Sequence, residues 1–285
     1  MKEKISRGIN VKIQANYDIL NPTEKKIANY ILKNANDIEH LTTQELADKT
    51  ETSKAAVTRF CQRLGYEGFK QFRISAIKEH VQGVKDLHEL VNEKDELDII
   101  IKKLCNSNAT ACSDSSLLIE EKKLEEVAKL ILKSERVFLF GDGASAPIII
   151  DFYQKMLRLG IICIHSLDRR LQSMQAVLAT EKDVVLAFDL SGASQHTVNT
   201  VKVARKKKCK TVGICNSIGS PLMKEAEISL YASARTNSKL TGTFGPRIAL
   251  LCLVDCLFTG IIKFSNNRFS ENLKITMNAI IEDWI

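Results

Sequence analysis

Glycine and proline are scarce in this chain, 13 and 4 of 285 residues. With 45% hydrophobic and 26% charged residues, that scarcity excludes a collagen-like, low-complexity or disordered polypeptide and leaves an ordinary globular protein. No C-x-x-C pair occurs among the eight cysteines, and the five histidines do not recur at ligand spacing, so no metal is expected. Most of the cysteines lie in apolar runs such as Ile161-Ile162-Cys163-Ile164, where a thiol acts as a small hydrophobe. Reduced, buried thiols are expected rather than a disulfide framework. Met1-Lys2-Glu3-Lys4 is followed by no apolar segment, so a secretory signal is not expected. The longest apolar stretch, Ile248 to Phe264, is broken by Asp255 and Lys263 and falls short of the roughly 20 residues a membrane span needs. It reads as a buried helix, in the core or at an interface, of a cytoplasmic protein.

A chain of 285 residues is long enough for two domains. Its net charge of +7 is unevenly spread: residues 1–85 hold 15 Lys and Arg against 10 Asp and Glu, the remainder 26 against 24. Between Ser53 and Lys78 six basic residues face the single acid Glu67. That window is the strongest electrostatic candidate for contact with phosphate.

Residues 20–80 carry helical periodicity and no convincing strand. Asn21-Pro22-Thr23-Glu24 is a helix start, followed by the stripe Ile27, Ala28, Ile31, Leu32. Thr43 to Lys49 and Lys54 to Leu64 form two further short helices, the second capped by Ser53 and stopped by Gly65. The small Ala47 and the apolar Val57 ten positions later give this pair a helix-turn-helix layout. Ser53, Lys54, Ala55, Thr58, Arg59 and Gln62 make the outward face, with Arg63 and Lys70 as flanking cations, and these residue types suit a helix entering the major groove. The window alone also fits a helical hairpin used only for packing. With its flanks, from Leu20-Asn21-Pro22 through Leu41-Thr42-Thr43-Gln44-Glu45-Leu46-Ala47 to Val57-Thr58-Arg59-Phe60-Cys61-Gln62-Arg63-Leu64-Gly65-Tyr66, it closely resembles the N-terminal domain of the RpiR (MurR/RpiR) family of bacterial transcriptional regulators. Glu51 stands where that family usually has Gly, and Ala56 where it has Thr. The resemblance implies double-stranded DNA as partner, a palindromic operator and a homodimer or homotetramer.

Residues 81–124 read as a helical linker, with Asp86, Glu89, Glu93, Lys94, Asp95 and Glu96 clustered ahead of an amphipathic run. From Arg136 the pattern changes to short β-rich runs: 136–140, 161–164, 183–188, 211–214 and 228–231, separated by stretches long enough for crossover helices. The expected fold is an all-α helix-turn-helix domain over 1–80 and, over 125–285, an α/β domain whose five-stranded parallel sheet is flanked by helices. Gly141-Asp142-Gly143-Ala144-Ser145 follows the first strand and Asp189-Leu190-Ser191-Gly192-Ala193-Ser194 the third, each opening a helix. Such loops at the carboxyl ends of neighbouring parallel strands line one crevice. The first lacks the third Gly of a dinucleotide fingerprint, so no cofactor is expected.

Together the loops resemble the SIS (sugar isomerase) domain, with Pro221-Leu222, Ala226 and Arg247-Ile248-Ala249 matching as well. The resemblance implies a phosphosugar ligand held by Ser145, Ser191 and Ser194, with Gly141, Gly143 and Gly192 allowing close backbone approach. Asp142 and Asp189 are adverse to that ligand, because a carboxylate within about 4–6 Å repels a phosphate unless it is paired, and neither loop contains Lys or Arg. A neutral or aminated sugar bonded by the aspartates, or an empty pocket, is the alternative, and Asp189 also suits capping of its own turn. A phosphosugar isomerase is the rival class, but it needs a positioned base; His196 is the only histidine near either loop and no Glu accompanies it. A non-enzymatic regulator of sugar or amino-sugar metabolism follows.

Overall fold

A computed structural model describes residues 7–34, 38, 41–81, 95–232 and 244–282. The chain divides into two compact units, Met1–His88 and Glu89–Ile285.

The first unit contains α1 (Arg7–Asn16), a 3-10 turn at Tyr17–Ile19, α2 (Pro22–Lys33), α3 (Thr43–Lys49), α4 (Lys54–Arg63) and α5 (Phe69–Val81). Its helices begin where their caps dictate. The Asn21 side chain accepts from Glu24 N at 2.9 Å while the Glu24 carboxylate accepts from Asn21 N at 3.0 Å, which satisfies two orphan donors at once. Thr42 and Glu45 repeat the box at α3, and the Thr42 amide and hydroxyl hold the Glu45 carboxyl below its usual range. Ile27, Ile31, Leu46, Val57, Phe60 and Phe72 are fully buried in one cluster. Ala47, 1% exposed, supplies the small contact at which α3 and α4 cross. Arg73 donates to Leu41 O at 3.0 Å and ties α5 to the segment leading into α3.

The second unit contains α6 (Leu97–Ser116), α7 (Glu121–Lys133), β1 (Val137–Phe140), α8 (Ala146–Leu159), β2 (Cys163–His165), α9 (Arg169–Leu178), β3 (Val184–Phe188), α10 (Gln195–Lys206), β4 (Lys210–Cys215), α11 (Pro221–Glu225), β5 (Ile228–Tyr231), α12 (Phe244–Phe264) and α13 (Ser270–Glu282). All strand pairs are parallel and the order is β2-β1-β3-β4-β5. Alternation sends Val137, Leu139, Val184 and Leu186 into a cluster with α7, α8 and α12, and Phe138, Phe140 and Val185 into another with α9 and α10. Both faces are therefore covered. Ala249, Leu250, Leu253, Val254, Leu257 and Ile261 of α12 belong to the first cluster, which makes the long apolar helix a core element.

Residues 97–116, placed in a linker by their charge and helix-permissive composition, form a 20-residue helix that packs along α12 inside the second unit. Its inward residues, Ala111, Asp114 and Ser115, are too small or polar to give the hydrophobic periodicity that marks a core helix. The acidic cluster between Asp86 and Lys94 lies outside the described residues.

Candidate functional site

Two sites take shape, one in each unit. In the first, α3, a four-residue turn and α4 form the helix-turn-helix. Thr52 N donates to Ala47 O at 2.8 Å to close the turn, and Glu51 adopts φ 51°. That is the left-handed backbone which Gly adopts without strain; the exposed Glu51 carboxylate accepts from Lys26 Nζ at 3.2 Å. Ser53 caps α4 through Ala56 N at 3.1 Å. Val57, Phe60 and Cys61 are buried, while Ser53, Lys54, Ala55, Arg59, Gln62, Arg63 and Lys70 are exposed and Thr58 is half-buried.

These eight residues are not equivalent. Ser53 is spent on capping, and Thr58 Oγ1 donates to Lys54 O at 3.0 Å. Arg63 donates through Nε to Glu24 at 2.9 Å, and that carboxylate is only 6% exposed. Arg63 therefore anchors α4 to the capped start of α2, a use that spacing within α4 does not reveal. Lys54, Arg59 and Lys70 carry charge with no ion pair among the described residues. Arg59, on the outer face of α4, is the best placed of them for a base edge or phosphate.

The second site lies at the carboxyl ends of β1 and β3. Strand order reverses at β1, which has β2 on one side and β3 on the other, and open parallel sheets form a crevice at such a switch point. Ser145, 3% exposed, links the two loops because its Oγ accepts from Leu190 N at 3.1 Å. Asp189, 8% exposed, organises the second loop. Its carboxylate accepts from Ser191 N at 3.1 Å, Ser191 Oγ at 3.0 Å and Ser194 N at 2.6 Å. Ser194 caps α10, and Ser191 Oγ accepts from Ala193 N at 3.1 Å. Asp189 is thus a loop cap, the use its residue type suits, and its charge is met by N–H and O–H donors.

Two of the three glycines serve packing within the protein. At Gly141, φ 144°, a side chain would strike the Phe188 carbonyl; at Gly192, φ 67°, it would strike Ser220 and Cys215. Gly143, φ 53°, faces open space and is the glycine that leaves room for a ligand.

Residues outside the loops complete the crevice. Gln172 of α9, fully buried, donates through Nε2 to Gly141 O at 2.7 Å and Ser166 O at 2.7 Å, and accepts from Gly141 N at 3.1 Å. Arg169, at the start of α9, pairs through Nε with Asp142. The loops themselves contain no cation, but the crossover after β2 delivers one, and this corrects the expectation that Asp142 is uncompensated. Asp142, Gly143, Leu167, Asp168, Arg169 and Arg170 line an open cleft of 470 Å³. His196 stands within electrostatic reach of Asp142 and Arg169, and burial pushes its imidazole below the usual range. The charged residues of the cleft are Arg169 and Arg170 against Asp142 and Asp168.

Comparison with known proteins finds a domain family in each unit. The helix-turn-helix domain of the rpiR family matches residues 7–83 and the SIS domain matches residues 130–260. An uncharacterised HTH-type transcriptional regulator of Haemophilus influenzae is 30% identical over 280 residues, 96% of each chain. The HTH-type transcriptional regulator HexR of Escherichia coli is 24% identical over 95% of this chain and 93% of its own. The structure of Vibrio vulnificus NanR complexed with ManNAc-6P superposes with a TM-score of 0.61 at 25% identity, covering 96% of this chain and 98% of that one. No helix among the described residues is long and apolar enough to cross a membrane. With a helix-turn-helix at one end, a SIS fold at the other and full-length relatives of the same build, the chain belongs to the RpiR family of transcriptional regulators.

Proposed function

We propose that this regulator binds a palindromic operator in duplex DNA as a homodimer or homotetramer in the cytoplasm, and that its SIS domain senses a phosphosugar of sugar or amino-sugar metabolism. Lys54, Ala55, Thr58, Arg59, Gln62 and Lys70 face the DNA; Ser53 and Arg63 hold that face in shape. Gly141, Gly143, Ser145, Asp189, Ser191, Gly192 and Ser194 build the effector crevice. The observation that carries the reading is the compensation of both aspartates, Asp142 by Arg169 and Asp189 by three donors of its own loop. It removes the repulsion that favours an unphosphorylated sugar. The bound ManNAc-6P of NanR supports the same ligand class.

Catalysis is not part of the proposal. An isomerase needs a positioned base to take a carbon-bound proton; the two loop carboxylates are committed to an arginine and to donors of their own loop, and His196 has no side chain hydrogen-bonded to it, among the described residues, that would position it. Regulation requires only that the effector prefer one arrangement of the oligomer over another, since equal affinity shifts nothing. The test is a thermal-shift screen of sugars and their phosphates, followed by anisotropy titration of promoter DNA with and without each hit. Stabilisation by a sugar phosphate that also changes DNA affinity is expected. A hit that leaves DNA affinity untouched, or turnover of a sugar phosphate, overturns the reading.

A further inference from the structure

Three of the eight cysteines, all of them free, meet on the seam where α6 packs along α12. The core beneath them sets their register: Ala111 of α6 and Leu253 of α12 are 3% and 1% exposed and belong to one buried cluster. Their neighbours in sequence, Cys112 and Cys252, are half-buried, and Cys256, one turn beyond Cys252, is exposed. The Cys252 thiol lies within hydrogen-bonding reach of both Cys112 and Cys256. Asp255, beside them, is paired with Lys155 of α8 at 3.0 Å, and no group of three His, Cys, Asp or Glu among the described residues is arranged to hold a metal ion. The chemistry open to the cluster is that of the thiols themselves.

Helix geometry selects which two can join. Cβ atoms four residues apart on one helix are separated by about 5–6 Å, whereas a disulfide needs about 3.5–4.5 Å. Cys252 and Cys256 can therefore share a hydrogen but not a bond. Cys105, two turns before Cys112 on α6, is about 10 Å away along the axis and too far to bridge to it. Cys112 and Cys252 stand on facing helices, where packing rather than helical pitch fixes the separation. Ala111 and Ser115, buried on α6 beside Cys112, are small and let the two helices approach closely. Burial and the neighbouring thiols push Cys112 and Cys256 above the usual thiol range, so the cluster rests as thiols.

We propose that Cys112 and Cys252 form a reversible disulfide site for peroxide-class oxidants, which staples α6 to α12. One sulfur displaces hydroxide from the O–O bond of hydrogen peroxide and becomes a sulfenic acid, its own proton leaving with that hydroxide as water. The other sulfur then displaces the sulfenic oxygen, the S–S bond forms, and its proton completes a second water. Two thiols lose two electrons and one peroxide is reduced to two waters. The bond encloses all five strands in one covalent loop, since β1 to β5 lie between residues 112 and 252. Closing so long a loop restricts the unfolded chain more than closing a short one does, so oxidation stabilises the second unit. The site uses no residue of the crevice and does not rest on the sensing role proposed above.

The test treats the full-length protein with millimolar hydrogen peroxide, blocks remaining thiols with iodoacetamide and maps peptides without reductant. The expected product is a peptide cross-linked between Cys112 and Cys252, from a chain that still runs as a monomer on a non-reducing gel, and dithiothreitol returns it to two free thiols. Its denaturation midpoint in urea is expected to exceed that of the reduced protein. Cys256→Ser and Cys105→Ser are expected to form the link as wild type does, and Cys112→Ser and Cys252→Ser to form none. The wild-type map alone identifies the pair, so a variant that misfolds leaves the result readable. Oxygen added to single cysteines without a link, a link between other cysteines or between separate chains, or a linked protein less stable than the reduced one overturns the inference.

Discussion

Gln172 clasps Gly141 from both sides: its Nε2 donates to Gly141 O at 2.7 Å while its Oε1 accepts from Gly141 N at 3.1 Å. The glycine that begins the β1 loop is thereby fixed by a fully buried side chain 31 residues away. Gln172→Ala leaves a buried N–H and C=O unpaired and is expected to cost about 2–4 kcal/mol. Denaturant unfolding of the second unit measures the loss. Gln172→Glu, which cannot donate, is expected to be destabilising as well; stability equal to wild type in both variants contradicts the clasp.

Arg59 and Arg63 separate recognition from architecture. Arg59→Ala is expected to weaken binding to duplex DNA and to reduce the slope of log affinity against log salt by about 1, with stability unchanged. Arg63→Ala strips the buried Glu24 carboxylate of its cationic partner, so the melting midpoint of the first unit is expected to fall. Anisotropy titrations across a salt series, paired with thermal melts, read both effects. Identical behaviour of the two variants contradicts the division.

Glu51 stores strain. Its φ of 51° costs an L-residue roughly 1–2 kcal/mol, part of which Gly returns as unfolded-state entropy. Glu51→Gly is expected to raise the stability of the first unit by up to about 1 kcal/mol. A lower denaturation midpoint would instead give the Lys26 contact the larger share.

Asp183 makes the second unit sensitive to acid. Burial alone raises its carboxyl, but bonds from Arg136, at 2.7 and 2.9 Å, and from Thr180 N and Oγ1 outweigh burial and hold it below the usual range. A carboxyl depressed in the folded state contributes stability that is complete above its unfolded value of about 3.9 and is lost as pH falls through the lower folded value. The stability gap between wild type and Asp183→Asn is therefore expected to be constant near neutrality and to close in acid. A gap that widens in acid reverses the sign.

Cys61 and Cys209 are pushed up to about 12 by burial, whereas Cys105 is exposed. Iodoacetamide at pH 7.5 is expected to label Cys105 first and to spare those two until the protein unfolds, as read by peptide mass mapping. Early labelling of Cys209 contradicts the packing described.

Local chemistry made much of this legible in the sequence. Asn21 and Ser53 start helices because each side chain satisfies an amide three residues on, and 228–231 is a strand with the expected bounds. The strand expected at 161–164 forms at 163–165, since apolar Ile161 and Ile162 read like strand but fall in the turn after α8. Arg169 and Gln172 could not be read as site residues. They reach Asp142 and Gly141 only because β2 pairs with β1 and the crossover brings the start of α9 beside the β1 loop. Nothing in the sequence of α9 announces that proximity. The roles of Arg63 and Glu24 were hidden in the same way, by a separation of 39 residues.

The bond from Leu190 N to Ser145 Oγ spans 45 residues, and its position in the chain sets an order of events during synthesis. The helix-turn-helix unit encloses its own apolar cluster and lies wholly ahead of the sheet, so its folding depends on short-range contacts that close early. The crevice depends on β1 finding β3 across the whole β1-α8-β2-α9 stretch, and parallel pairing of that range is slow. A nascent chain therefore completes its helix-turn-helix unit before its crevice can form.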